Sequence, residues 1–140
     1  MIARQVAEWT RCQLEQQRLC GMLDQAAERL PLREVGFGST LVEILAGVHQ
    51  AEEADIFPAL IMISKQVSPL LQGFADHHRF DAAEAKSLSV LLEKHEIGDV
   101  DALKTRLRSF AEGIRRHVQF EEAICRALFA RHDQSARAIQ

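Results

Sequence analysis

The sequence predicts an all-α protein, an up-down-up-down four-helix bundle, and three observations carry that expectation. Along each long stretch apolar residues recur at intervals of three and four, with none of the alternation that marks strands. Breakers divide the chain at Pro31 with "GFGS" (36–39), at "VSPL" (67–70) and at "HEIGDV" (95–100). Four long helices joined by short connections pack most economically as antiparallel neighbours. A chain of 140 residues is expected to form one domain, residues 1–140, around one core.

The first helix, near 2–29, places Trp9, Cys12, Gln16, Leu19, Leu23 and Ala26 on one seam. The second, near 40–65, opens on Thr40 and Glu43, which match a capping box. Its seam reads Val42, Leu45, His49, Glu53, Ile56, Leu60 and Ile63, with Glu52 near the same face. Pro58 lacks an N–H and crowds the preceding turn, so a kink is expected there. The third helix, near 69–95, starts with Ser68 as N-cap and Pro69 at the first position. Leu70, Phe74, His77, Asp81, Leu88 and Leu91 form its seam; His78 lies a step round the helix and Glu84 continues the stripe. Asp99 caps the fourth helix, near 100–131, whose seam is Leu103, Leu107, Phe110, Ile114, His117, Glu121, Ile124 and Leu128. His78, His95 and His132 are expected at the surface or at helix ends.

Composition narrows the class. With 47% hydrophobic and 26% charged residues and a net charge of −3, the chain reads as an ordinary globular protein. No global field attracts nucleic acid or an anionic membrane, and neither partner is expected. No apolar run approaches a membrane span, and the N-terminal stretch lacks the apolar centre of a signal peptide. A cytoplasmic location is the expectation. The three cysteines, Cys12, Cys20 and Cys125, have no CxxC spacing, which argues against a disulfide framework or a cysteine zinc site. No phosphate-cradling glycine loop, nucleophile elbow or haem attachment motif occurs.

The informative feature is polar. His49 and Glu53, His77 and Asp81, and His117 and Glu121 each lie four residues apart on an otherwise apolar seam, and Gln16 interrupts the seam of the first helix. Residues four apart on a helix project to one point. One such pair is ordinarily a surface ion pair or a hydrogen-bonded core histidine. Three pairs in one core would leave about three uncompensated carboxylates, each costing several kcal/mol or taking up a proton. Two divalent cations with a bridging hydroxide neutralise that charge, and imidazole with carboxylate suits iron, manganese or zinc better than calcium or magnesium. The metal candidates are therefore His49, Glu53, His77, Asp81, His117 and Glu121, with Gln16 as a weak ligand or a group bonding a bound water. Glu52, His78 and Glu84 stay open as alternatives.

The Glu-x-x-His motif of ferritin-like bundles is absent; histidine comes first and the carboxylate follows at four. That order, in "HQAEEADIFPAL" (49–60), "HHRF" (77–80) and "HVQFEE" (117–122), resembles the hemerythrin-like family, the HHE cation-binding domain. The resemblance implies a four-helix bundle with a non-haem, usually di-iron centre bridged by oxo or hydroxo, held by His49, Glu53, His77, His117 and Glu121. It also implies roles in oxygen binding, storage or transport, or in oxygen, iron or redox sensing, with a diatomic molecule or peroxide as ligand. Two positions depart from the family pattern. Gln16, in "EQQRL", stands where a ligand histidine is common, and Asp81 stands where hemerythrin proper has histidine. More carboxylate and less imidazole favour the ferric state, which argues against reversible oxygen carriage. Peroxide or nitric oxide reduction ranks lower, since no general acid or base is identifiable. The rival expectation is a degenerate, metal-free bundle serving as a regulatory or dimerising module, and the chain is expected to be a monomer or homodimer.

Overall fold

A computed structural model of the chain describes residues 2–139. Among these residues four long helical rods and no strand occur. The first rod is α1 (Ile2–Arg29). The second comprises α2 (Phe37–Ala51), a π turn (Glu52–Ile56) and α3 (Phe57–Ile63) without interruption. The third is α4 (Ser68–Lys94) and the fourth α5 (Val100–Ile139). Successive rods run antiparallel; α1 packs chiefly on α5, and α2 chiefly on α4.

Several starts differ from the sequence expectation. The second rod begins at Phe37, behind Gly36, whose φ of 83° lies in the left-handed region that glycine adopts without strain. Thr40 is thus already helical and donates its hydroxyl back to Gly36 O, so no capping box forms there. Ser68 is likewise the first helical residue rather than the cap, preceded by a short 3₁₀ turn over Lys65–Val67. Pro58 does not break its rod. The π turn ends just before it, with Phe57 N–H bonded to Glu52 O, five residues back. That wider turn absorbs the missing donor.

Two apolar clusters fill the ends of the bundle. One gathers Leu19, Leu23, Leu41, Leu45, Leu88, Leu107 and Ile114; the other gathers Trp9, Cys12, Ile56, Leu60, Leu71, Cys125 and Phe129. Gly38 lets α2 approach α4 closely, since a Cβ there would stand 2.5 Å from Ser89 Cα. The connection after α1 is tied to the end of α4. His95, buried rather than at the surface, places its ring nitrogens 2.9 Å from Leu91 O and 2.9 Å from Pro31 O, while Arg33 donates to His95 O.

Candidate metal centre

Between the two apolar clusters lies a polar layer to which all four rods contribute. In α5 the sequence register holds: Glu121 is fully buried and His117 nearly so. The second rod presents Leu41, Leu45, Val48, Glu52, Ile56 and Leu60 to the core. Four-residue steps on a straight α-helix drift by about 40° each, and the π turn reduces that drift, keeping Glu52, Ile56 and Leu60 on one face. Glu52 is consequently 0% exposed, whereas the Glu53 side chain is 46% exposed. In α4 the buried line runs Leu71, His78, Ala85, Leu88 and Leu92, one step round from the line the sequence spacing favours. His78 is buried and His77 is 55% exposed, the reverse of the expectation for this adjacent pair. The alternating Leu70–Leu71, His77–His78 and Leu91–Leu92 doublets gave either register an apolar stripe, so spacing alone had no means of choosing.

Among the described residues two groups of ligand atoms form, each with its members within 4.8 Å of one another. Glu52, His78 and His117 make the inner group; His77, Asp81 and His117 make the outer one. His117 belongs to both, and its Nε2 lies 3.5 Å from Glu121 Oε2. His77 Nε2 lies 3.4 Å from Asp81 Oδ1, so this expected pair is brought together, at the edge of the layer. His49 is buried and stacks on the His78 ring at 3.8 Å between centroids. Glu53 turns to the side and takes a 2.9 Å hydrogen bond from His78 Nδ1. Gln16 is buried, and its amide donates to Cys12 O at 3.3 Å.

The polar atoms of this layer are conspicuously short of partners. Both oxygens of Glu52, both oxygens of Glu121, and Nε2 of His78 and His117 are buried without a hydrogen-bond partner. A native core satisfies nearly all such atoms, and each orphan costs about 1–3 kcal/mol, more for a carboxylate. The same holds for both amide atoms of Gln13, a buried residue one turn before Gln16 that the seam reading passed over.

Electrostatics point the same way. Burial first, and then the neighbouring Glu121 carboxylate, hold Glu52 well above the usual carboxylate range. Burial also raises Asp81, against the pull of the His77, His117 and His78 rings. His49 is pushed down to about 3 by burial and by the surrounding imidazoles, and burial lowers His78 as well. His49 and His78 are therefore held neutral, the form in which an imidazole ligates a cation. Acidic oxygens and neutral imidazole nitrogens that lack protein partners are a donor set matched to a nitrogen- and oxygen-preferring divalent metal. The thiols stand apart from this chemistry: burial raises Cys12 to about 12 and raises Cys125 as well.

No curated protein and no solved structure matches the chain. A family match does exist and spans most of its length. Over residues 4–128 the sequence fits the hemerythrin HHE cation-binding domain. With the bundle and the histidine–carboxylate layer in place, the chain belongs to the hemerythrin HHE cation-binding family.

Proposed function

We propose that this chain, acting as a single domain, binds non-haem iron in its polar layer and serves in oxygen, redox or iron sensing or in iron handling. One observation carries the proposal: the partnerless oxygens of Glu52 and Glu121 converge with the partnerless Nε2 atoms of His78 and His117. Buried side by side, such atoms need protons or a cation between them. The two groups meet at His117. A neutral imidazole gives its single lone pair to one cation, so His117 would serve one site. The carboxylates of Glu52, Glu121 and Asp81 would offset the charge of a second, adjacent iron in a di-iron centre. The ligand pool is His117, Glu121, His77 and Asp81 of the sequence reading, joined by Glu52 and His78, with His49 and Glu53 packed against it. Bound iron supplies redox chemistry and affinity for a diatomic molecule or peroxide.

The chain's residues shape access to that centre. A surface pocket of about 390 Å³ opens beside the outer group, between His77, Phe80, Asp81 and Phe110. Phe74 lies against the His117 ring at 4.6 Å and shields the inner group. A second pocket, of about 290 Å³, reaches Gln16, Cys20 and Val118, where the family pattern would place a further histidine. Among the described residues no helix is long and apolar enough to cross a membrane, and the proposal places the protein in the cytoplasm.

Elemental analysis of freshly purified, untagged protein, with its ultraviolet–visible spectrum, tests this reading. Nearly two irons per chain with oxo-bridged ferric absorption is the expected result. One iron, or zinc, would restrict the centre to a single group. No metal after anaerobic ferrous reconstitution would refute the proposal and leave the metal-free interaction module.

A further inference from the structure

We infer that the carboxylate the second rod gives to the cation is Glu52, and that Glu53 is a positioning residue acting through His78. The inference rests on the reading of the polar layer as a metal centre. It departs from the His-x3-Glu spacing, which selects Glu53 as the partner of His49.

Burial separates the two glutamates. Glu52 is fully enclosed with neither oxygen partnered, while Glu53 is half exposed and engaged. Glu53 Oε2 accepts a hydrogen from His78 Nδ1 at 2.9 Å. A neutral ring with its hydrogen on Nδ1 carries its lone pair on Nε2, and that atom is buried, without a partner, 3.9 Å from Glu52 Oε2. Two lone-pair donors on one ion with bonds of about 2.0–2.1 Å lie at most about 4.2 Å apart, and 3.9 Å is within that reach. His117 completes the inner group from α5.

The His78 ring is thus fixed at three points. Glu53 sets its tautomer, the His49 ring stacks on it at 3.8 Å, and Phe57 lies near-parallel at 6.0 Å. A carboxylate behind a ligating imidazole orients the ring and raises its basicity, and removing such a partner weakens metal affinity about 10–100-fold. Direct ligation by Glu53 would require its half-exposed side chain to swing inward to the buried face that the π turn gives to Glu52.

Anaerobic cobalt(II) titration of the full-length chain, read by visible absorption and calorimetry, tests the assignment in wild type, Glu52→Gln, Glu53→Gln and Glu53→Asp. Glu52→Gln is expected to lose the inner cobalt, with affinity down by about 100-fold or more and its absorption band altered. Glu53→Gln is expected to keep the stoichiometry and band shape while binding about 10–100-fold more weakly, and Glu53→Asp to recover part of the loss. In the metal-free wild type, ¹⁵N NMR should find His78 protonated at Nδ1, a reading that does not depend on Glu52→Gln folding. Loss of the cobalt band in Glu53→Gln with its retention in Glu52→Gln would overturn the inference and make Glu53 the ligand. Wild type that binds neither cobalt nor iron would overturn the metal reading itself, and this inference with it.

Discussion

His117→Ala is the most discriminating single substitution, because His117 is the one residue shared by both ligand groups. Its removal leaves each group a donor short. A cation at 100 times its Kd stabilises the folded chain by about 2.7 kcal/mol. If the lost ligand weakens binding 100-fold, the same concentration contributes only about 0.4 kcal/mol. For a domain of this size each kcal/mol corresponds to roughly 3–5 °C in Tm, so wild type should melt about 8–13 °C higher loaded than stripped. The variant's difference should be about 2 °C or less. In the stripped state two effects oppose each other. The substitution removes an unpartnered buried nitrogen, worth about 1–3 kcal/mol, but it also loses the Phe74 contact and leaves a gap of similar cost. The stripped proteins should therefore melt within a few degrees of one another. Differential scanning calorimetry with anaerobic ferrous ion, repeated after chelation, reads all four states. A variant that keeps the full metal-dependent shift would refute the reasoning, as would a wild type that shows none.

Three further outcomes follow from particular residues. Gly38→Ala would set a Cβ 2.5 Å from Ser89 Cα and Cβ, and relieving that overlap should cost about 1–3 kcal/mol. Gly47, which faces open space, should instead gain up to about 1 kcal/mol as alanine; urea denaturation showing both variants stabilised would contradict the close approach of α2 and α4. For Glu52, burial beside Glu121 raises the folded-state pKa well above 4.5, so the metal-free folded chain binds more protons on this group than the unfolded chain does. Its contribution to stability is then greatest near pH 4.5 and below, and falls as pH rises toward the folded pKa, by at most about 1.4 kcal/mol per pH unit. Melting of chelated Glu52→Gln should lack that decline, and an unchanged pH profile would show that Glu52 does not carry it.

Much of the molecule was legible in the order of its residues. Four amphipathic segments and the Pro31, Ser68–Pro69 and Gly98 breakers determined an all-α bundle, because local periodicity and backbone chemistry act within a few residues. The α5 seam and its His117–Glu121 pair were equally legible, since a long helix without an internal breaker keeps one register. Tertiary structure decided which member of each adjacent polar pair enters the core. The π turn before Pro58 brought Glu52 inward and left Glu53 at the side, an adjustment in helical pitch that residue spacing does not record. In α4 the doublets Leu70–Leu71 and His77–His78 offered two apolar stripes about 100° apart. Only packing against the second rod, with Gly38 seated on Ser89 and His78 stacked on His49, selected one of them. The sequence determined that histidines and carboxylates would share a core, and contact between rods decided which atoms face one another there.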